Sequence, residues 1–382
     1  MRYKLKEIFD LQMGKTPSRN NTEYWNTNDY KWISIADLTK TGKYISETKE
    51  YLSKSAISDS GIKVIPANTV VMSFKLSIGK TAITAEDMYS NEAIMAFHDR
   101  HVVEILPEYI YYMFKYKNWD EGSNKAVMGK TLNKATLSEV EIEICSIMQQ
   151  RKIVNVLDKM SSVLEKREDE LSVLDTLIKA RFVEMFGDPI LNPNGYLKEK
   201  IEKHIDLLSG YPFKSEQYVE EGINICGGLI IMPQKIKWNE CVHWSSAEGF
   251  EDYLLNENDI VMALDRPWIS EGFKMAKVDA EHLPALLIQR TARIRAIDMN
   301  QEYLYNCFIN GGFDKHSYVT GSLVPHISAK DIRSFEIMIP PAELQNQFAD
   351  FVHQVDKSKV VVQKALDETQ ILFNSLMQQY FG

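Results

Sequence analysis

The sequence repeats itself, and this internal repeat constrains the fold more than any other feature. The matching stretches keep their order along the chain and are separated by offsets of 190 to 196 positions. A constant order at a nearly constant offset is typical of duplication, and it predicts two copies of about 195 residues each. The matching stretches are DLQMG (10–14) with DLLSG (206–210), IPANTVVM (65–72) with LNENDIVM (255–262), and EYIYYMF (108–114) with EYLYNCF (302–308).

Each copy begins with a segment of mixed secondary structure. Short β-branched runs such as NTVVMSF (68–74) and DIVMAL (259–264) alternate with turns rich in Gly, Pro and Asn, which predicts strands. One helix is predicted to interrupt the strands of each copy, at 107–119 in the first and at 300–310 in the second. Both segments are long enough to bury a core of their own.

Each copy then closes with a long helical pattern. Apolar residues recur at alternating steps of three and four over 149–186 and from 344 to 382, which predicts two amphipathic helices with a shared apolar seam. A helix over the 38 residues 149–186 is about 57 Å long. The predicted seam consists of Ile153, Leu157, Met160, Leu164, Leu171, Leu174 and Ile178 in the first helix, and Phe348, Val352, Val355, Val362, Leu366, Phe373 and Leu376 in the second.

We expect these helices to pair with each other in one chain, as an antiparallel two-helix spacer with a globular domain toward each end. Two alternatives stay open: each helix packs on its own domain, or helices pair between chains. Gly187 and Gly382 follow the two patterns and are predicted helix stops, because glycine tolerates a left-handed backbone. The joint before the first helix, CSIMQQRK (145–152), lacks the prolines of IPPAELQNQ (339–347), so we expect a slightly different joint there.

These patterns predict an α+β fold of mixed α/β character with pseudo-two-fold symmetry. We expect a first globular domain at 1–147, a central spacer helix at 148–189, a second globular domain at 190–342 and a C-terminal spacer helix at 343–382. The chain has 45% apolar and 25% charged residues and no signal-peptide core or membrane-length apolar run, so we expect a cytoplasmic protein.

No catalytic motif emerges from the sequence. The tripeptide GKT starts at Gly14, Gly79 and Gly129, but a phosphate loop needs a further glycine five residues earlier, and none is present there. The four cysteines have no metal-ligand spacing, and we expect no metal site and no cofactor in this chain. A hydrolase is therefore the weakest interpretation, and the pattern favours two binding domains on a spacer.

The charge distribution leaves room for a nucleic-acid partner. The formal net charge of −9 argues against one at first, since phosphate binding usually leaves a basic footprint. Residues 1–150 hold 19 basic and 19 acidic side chains, whereas 190–343 hold 15 and 22, so the acidity is concentrated in the second copy. Several loops mix cations with polar and aromatic side chains that contact phosphates and base edges. The candidate DNA-binding residues are Lys15, Thr16, Ser18, Arg19, Lys75, Lys80, Lys130, Lys134, Tyr211, Lys214, Arg266, Trp268, Arg290, Arg293 and His316.

Phrases spread over the whole chain resemble the specificity subunit of type I restriction-modification systems. They include GKTPS (14–18), WISIADL (32–38), IGKTAI (78–83), SNEAI (90–94), QQRKIVNVLDK (149–159), KARFVEMFGDP (179–189) and VPHISAKDIRSFEIMIPP (324–341). The resemblance implies a non-catalytic subunit with two target recognition domains, each reading one half of a bipartite asymmetric site in double-stranded DNA.

The resemblance also implies partners. The spacer helices would dock two methyltransferase subunits that carry S-adenosylmethionine, and restriction subunits using ATP and Mg would join them, making a site-specific deoxyribonuclease and adenine methyltransferase. The alternative is an orphan sequence-specific DNA-binding regulator or adaptor without an enzymatic partner.

Overall fold

The chain folds into two compact units. The computed structural model describes residues 1–75, 77–119, 132–316 and 326–382. Unit 1 comprises Met1–Glu168 and Lys364–Gly382, and unit 2 comprises Asp169–Gln363. Each unit therefore contains a globular part and a segment of each long helix. The predicted four-segment division remains a prediction, and these units divide the helices differently from it.

Unit 1 is built around a five-stranded sheet of order β2-β9-β6-β7-β4 and a three-stranded sheet of order β5-β3-β8. Its strands are β1 (Arg2–Lys4), β2 (Phe9–Met13), β3 (Tyr30–Ile33), β4 (Tyr44–Ile45), β5 (Glu50–Leu52), β6 (Val70–Ser73), β7 (Thr81–Thr84), β8 (Tyr89–Ser90), β9 (Ile94–Asp99) and β10 (Glu141–Glu143). Its helices are α1 (Leu5–Ile8), α2 (Ile35–Lys40), α3 (Lys54–Ser60), α4 (Pro107–Tyr116), α5 (Lys134–Ser138) and the first part of α6 (Ile147–Phe186).

Unit 2 repeats this plan with a four-stranded sheet of order β12-β22-β17-β20 and a three-stranded sheet of order β16-β13-β21. Its strands are β11 (Lys198–Lys200), β12 (Ile205–Ser209), β13 (Ile223–Cys226), β14 (Ile231–Met232), β15 (Lys235–Ile236), β16 (Val242–Trp244), β17 (Ile260–Ala263), β18 (Trp268–Ile269), β19 (Gly272–Phe273), β20 (Met275–Lys277), β21 (Ala285–Leu287), β22 (Thr291–Ala296) and β23 (Glu336–Met338). Its helices are α7 (Gln301–Asn310), α8 (Phe313–His316), α9 (Ala329–Arg333) and the first part of α10 (Ala342–Phe381).

The two units match residue by residue where the sequence repeats. The turns before β6 and β17 hold Asn68 and Asn258 with φ angles of 62° and 64°, a left-handed conformation that asparagine adopts more readily than most residues. The three-stranded sheets each combine one antiparallel and one parallel pairing around a central strand. The tyrosines Tyr109 and Tyr303 both donate a hydroxyl hydrogen bond to the strand that leads to the long helix.

A buried glutamine anchors the start of each long helix. Gln150 donates to the carbonyls of Glu104 and Cys145 and accepts from the amide of Leu106, each at 2.9 Å. In unit 2, Gln345 accepts from the amide of Asn300 and donates to the carbonyl of Pro340, both at 2.9 Å. The two helices start 195 positions apart and each has 40 residues. The two joints also differ slightly, as expected: the Gln149 amide donates to the Ser146 hydroxyl at the start of α6, whereas Pro341 occupies the equivalent position before α10.

The long helices pair within each unit. In unit 2, Phe182 packs edge-on against Phe348 with ring centroids 5.6 Å apart, and Lys359 forms an ion pair with Asp175. These pairs place later residues of α6 beside earlier residues of α10, so the segments run in opposite directions. In unit 1, the early part of α6 and the late part of α10 share one hydrophobic core.

The predicted seam residues are all buried or half-buried. Leu157, Ile178, Phe348, Val352 and Val355 are buried, and the other predicted residues are half-buried. The heptad prediction missed Phe182, Phe186 and Met377, which are buried as well. Helix α6 ends at Phe186, and Gly187 follows with a φ of 81°. Helix α10 ends at Phe381, and the Gly382 amide donates to the Gln378 carbonyl at 2.8 Å.

The fold class predicted from the sequence is confirmed: two repeated α+β units are joined by two long helices. The interrupting helices are slightly shorter than predicted, with Pro107–Tyr116 and Gln301–Asn310. Asn300 caps the latter helix by accepting from the amide of Glu302 at 2.9 Å. Across the described residues, no helix has both the length and the hydropathy needed to cross a membrane.

Candidate nucleic-acid interface

Three loops of unit 1 meet at one edge of its larger sheet. They are residues 14–19 after β2, residues 74–80 between β6 and β7, of which residue 76 is outside the described part, and residues 91–93 before β9. The amide of Gly14 donates to Ile94 at 3.1 Å, and the amide of Phe74 donates to Ala93 at 2.9 Å. We call this the loop edge of unit 1.

The equivalent loops of unit 2 meet in the same way. They are residues 210–214 after β12, residues 264–274 between β17 and β20, and residues 288–290 before β22. The amide of Gly210 donates to Thr291 at 3.1 Å, and the amide of Leu264 donates to Arg290 at 2.9 Å. This is the loop edge of unit 2. The two loop edges therefore share one backbone scaffold.

Both edges require a glycine at the same place. A Cβ atom on Gly14 would lie 2.2 Å from the Asn91 carbonyl oxygen, and one on Gly210 would lie 2.1 Å from the Ile288 carbonyl oxygen. These distances are too short for any side chain, so the first loop packs directly against the loop that precedes β9 or β22. This close approach explains the repeated glycine in DLQMG and DLLSG.

Cations and a carboxylate face each other at the loop edge of unit 1. Thr16 donates a hydrogen bond to Glu92, and this bond, with the nearby charges of Lys75 and Arg19, holds the pKa of Glu92 below its ordinary value against the opposing effect of burial. Lys15 is exposed, and its ammonium group donates to the Ser60 carbonyl. Ser18 and Lys80 are also exposed in these loops.

Arg19 is held more tightly than its neighbours. Its guanidinium forms a forked ion pair with Glu50 and lies over the ring of Trp25, 3.7 Å from the centroid. A second indole, that of Trp32, lies 5.0 Å away. Such a fork uses the donors that would otherwise recognise a base or a phosphate. Arg19 therefore acts first as a structural element of this edge.

The loop edge of unit 2 contains a different set of charges. Asp265 accepts from Nδ1 of His326 at 2.6 Å and lies 3.6 Å from the guanidinium of Arg290. Arg266 is exposed in the next position. Arg266 and Lys274 belong to the same segment between β17 and β20, and burial and the charge of Arg266 both lower the pKa of Lys274.

The remaining candidate DNA-binding residues differ in their exposure. Lys214 is exposed in its loop, whereas Tyr211 and Trp268 are half-buried. Tyr211 packs among aromatic rings, and Trp268 stacks on Phe273 with centroids 4.9 Å apart. Lys134 is exposed at the start of α5, two residues after Leu132, whose amide donates to the edge residue Phe74 at 3.2 Å. Lys130 lies outside the described residues.

The structure contradicts one predicted DNA contact, Arg293, and gives a second predicted residue, His316, protein contacts of its own. Arg293 is 6% exposed, and its guanidinium forms an ion pair with Asp206 on the neighbouring strand β12. A buried cation held this way stabilises the sheet and is not accessible to a duplex. His316 packs against Phe313 and Phe335 and hydrogen-bonds to Asp331 and Ser334, both at 3.1 Å. These contacts give it a structural role.

An exposed leucine at the edge of unit 2 escaped the sequence analysis. Leu229 is 91% exposed. The preceding residue, Gly228, accepts a hydrogen bond from Lys274, and a Cβ added to it would lie 3.7 Å from the Arg290 carbonyl oxygen. An exposed apolar side chain at this loop edge is suited to contact a thymine methyl group or a base step. Composition gives no signal for it, because exposure depends on the tertiary fold.

Metal chemistry has no described site here. Among the residues that the structure describes, no group of three or more His, Cys, Asp or Glu side chains is arranged to hold a metal ion. The cysteine thiols Cys226 and Cys307 are buried, and burial raises the pKa of each thiol above its ordinary value. Among the residues that the structure describes, the loop edges offer cations, hydroxyls, carboxylates and the exposed side chain of Leu229.

Comparison with known proteins gives one consistent picture. A family model described as the type I restriction modification DNA specificity domain matches residues 1–172 and 210–369. The chain is 24% identical to the type I restriction enzyme MjaIX specificity subunit of Methanocaldococcus jannaschii, over 95% of this chain and 88% of that relative. It is 30% identical to the EcoAI specificity subunit of Escherichia coli, over 48% of this chain and 32% of that relative.

Solved structures have the same fold. The S subunit of a type I restriction-modification system from M. genitalium aligns with a TM-score of 0.53 at 14% identity, over 100% of this chain and 96% of that chain. A chain from work on complex assembly and conformational transition of the type I system aligns with a TM-score of 0.58 at 15% identity, over 100% and 97% of the two chains. At these identities the similarity concerns the fold.

Proposed function

The chain belongs to the type I restriction-modification DNA specificity domain family, and on this basis we propose that it selects the DNA target of a type I complex. It is the non-catalytic specificity subunit, and its partner subunits supply methylation and cleavage. Unit 1 reads one half of a bipartite target in double-stranded DNA and unit 2 reads the other. We place this activity in the cytoplasm, with the DNA.

One observation carries the proposal of an asymmetric target. The two loop edges share their backbone hydrogen bonds and their closely packed glycine, yet their side chains differ. Where unit 1 has Lys15 and Lys75, unit 2 has Tyr211 and Asp265, as the matched backbone bonds align them. Base edges are read by side chains, whereas the scaffold only positions them. Equal scaffolds with unequal side chains therefore recognise two different half-sites.

The long helices offer the surface for protein partners. In unit 2, Val360 and Val361 are each 68% exposed and Val173 is 65% exposed; in unit 1, Ile371 is 69% exposed. Exposed apolar side chains that recur on a helix favour an interaction surface. We propose that these surfaces dock two methyltransferase subunits, and that restriction subunits join through them.

Removing the gene tests the function directly. We expect the source strain to methylate adenine in a split motif, and deletion of this gene should abolish that methylation because no other subunit selects the site. Methylation sequencing of the two strains measures the loss of the motif. As the control, a plasmid that carries the gene should restore methylation in the deletion strain. An unchanged methylome in a strain with an active methyltransferase would contradict the proposal. Tight DNA binding by the isolated chain without a methyltransferase complex would favour a regulator instead.

Exchanging one reader tests the independence of the two units. Replacing residues 1–147 by the corresponding segment of a relative should change one half of the methylated motif and leave the other half intact, since the unit 2 loop edge is untouched. The reciprocal exchange of 190–342 is the matched control and should change only the other half. Changes in both halves after a single exchange would show that the units do not read independently.

A further inference from the structure

The geometry points to Arg290 as a residue that reads a guanine in the half-site of unit 2, with Asp265 as its positioning residue. The inference rests on the proposed function, and it names one specificity-determining side chain within it. Arginine presents a planar fork of donors that matches the O6 and N7 acceptors of guanine in the major groove. An arginine that reads a base needs an exposed side chain, available hydrogen-bond donors and a backbone held in place by its neighbours.

The backbone beneath Arg290 is fixed on both sides. The amide of Ile288 donates to Cys226 at 3.2 Å, the amide of Gln289 donates to Tyr211 at 2.8 Å, and the carbonyl of Arg290 accepts from Leu264 at 2.9 Å. Gly210 packs against this loop at a distance that excludes a Cβ atom. The loop is thus attached to three neighbouring segments of unit 2 and gives the side chain a rigid base.

Arg290 also has an unusual backbone conformation. Its φ is 71°, and the nearby Arg266 has a φ of 46°. A left-handed backbone is uncommon for residues other than glycine and asparagine, and it persists only where the surrounding structure enforces it. Two such arginines at one loop edge point to a requirement for the direction of their side chains.

The side chain of Arg290 lies close to a carboxylate, but its hydrogen-bond donors remain available. It is 67% exposed, and its Nη1 atom lies 3.6 Å from Oδ2 of Asp265. That distance supports charge attraction but is too long for a strong hydrogen bond, so the donors stay available for a base. Asp265 is itself fixed, because His326 contacts its other oxygen at 2.6 Å.

The other arginines near the edges differ in these respects. Arg19 has its fork engaged by Glu50 and its face covered by Trp25. Arg293 is buried against Asp206. Arg266 is exposed in the segment that also contains Lys274, a location suited to a phosphate contact that carries no sequence information. Arg290 combines exposure, a fixed base and a carboxylate that aims it.

Arg290→Lys is the sharpest test, because lysine keeps the charge but cannot form the fork. In the intact complex of the full chain with its methyltransferase, we expect one guanine of the second half-site to lose its requirement. Discrimination against other bases there should fall about 5- to 140-fold, measured by binding to duplexes that vary at that position. The salt dependence of binding should not change, since the number of cations is the same.

Arg333→Lys is the matched control: Arg333 is an exposed arginine of helix α9 in the same unit, it lies outside the loop edge beside Glu202, and its replacement should leave the methylated motif unchanged. Asp265→Asn is the second variant, and we expect it to relax the same guanine position to a smaller extent. If the Arg290→Lys variant does not assemble with the methyltransferase, the Asp265→Asn variant tests the inference. Both substitutions should leave the first half-site intact.

The inference fails if the wild-type second half-site contains no guanine, or if neither Arg290→Lys nor Asp265→Asn changes discrimination at any guanine there. It also fails if Arg333→Lys changes the motif as much as Arg290→Lys does. Failure of the proposed function would look different, because the wild-type strain would then lack any split motif that depends on this gene.

Discussion

Replacing Phe182 by alanine should lower the free energy of unfolding of unit 2 by about 3–5 kcal/mol, the usual cost of truncating a fully buried phenylalanine. The Phe182 ring is completely buried. It stacks on Tyr303 with centroids 5.8 Å apart, and it packs against Phe186 and Phe348 at 5.1 and 5.6 Å. Alanine would leave a cavity where α6, α7 and α10 meet. Urea unfolding followed by circular dichroism measures the change.

Val183→Ala is the control for this prediction. Val183 is the next residue of α6 and is 42% exposed, so its truncation should change the free energy of unfolding by less than about 0.5 kcal/mol. Both variants keep the helix propensity of the segment, since alanine is the best helix former. Equal unfolding midpoints for Phe182→Ala and wild type would mean that the helix pair is not packed on unit 2 as described.

The heptad pattern predicted the long helices but not where their packing is strongest. Leu164 and Leu366 lie on the predicted seam and are half-buried, and neither belongs to the hydrophobic core of unit 1. Phe182 and Phe186 lie beyond the last predicted seam residue of α6, yet they are buried, since the globular part of unit 2 covers them together with α10. A sequence period reports a helix face and cannot report what covers it.

The sequence predicted the loops and the cations of the candidate interface, but not which side chains the fold covers. Turn signals and the repeat located the loops of both edges, and exposed cations such as Lys15 and Arg290 followed from their residue type. Arg293 was predicted wrongly because it lies inside strand β22, where alternate side chains point to opposite faces. Which face is covered depends on Asp206 and on the loop around Asp252, and both are distant in sequence. Asp265 was missed because its role depends on contacts with Arg290 and His326.

Lys277 joins three elements of unit 2 through one charged group. Its ammonium lies 2.6 Å from Glu302 of α7 and 3.2 Å from Asp356 of α10, while Lys277 itself ends strand β20. Burial opposes the charge, but the carboxylates of Glu302 and Asp356 outweigh it and hold the pKa of Lys277 above its ordinary value. Glu302 is only 6% exposed, so its carboxylate depends on this cation.

Lys277→Met should lower the free energy of unfolding by about 3 kcal/mol at neutral pH. Methionine fills similar space but leaves the buried Glu302 carboxylate without its cation, and breaking a buried pair costs about 3–5 kcal/mol. We expect the lower end of that range, because the Lys277 side chain keeps 22% exposure and solvent screens it in part. Urea unfolding at several pH values measures the difference.

The contribution of Lys277 to the free energy of unfolding should decrease at high pH. A lysine whose pKa is raised on folding contributes fully below its unfolded pKa and loses that contribution as the pH rises through the folded value. The difference between wild type and Lys277→Met should therefore be constant from pH 7 to about pH 10 and shrink at higher pH. Lys235→Met is the control, since Lys235 is an exposed strand lysine of the same unit, and it should change stability by less than about 0.5 kcal/mol.

The double variant Lys277→Met with Glu302→Gln separates lost attraction from stranded charge. Glutamine removes the buried charge and can still accept the hydrogen bond that Asn306 donates to Glu302 at 3.1 Å, so the double variant should be more stable than Lys277→Met alone. Because the two residues are in contact, their effects should not add. Additive losses would mean that Lys277 acts through Asp356 or through its packing, and that the stability of this joint does not depend on the Glu302 charge.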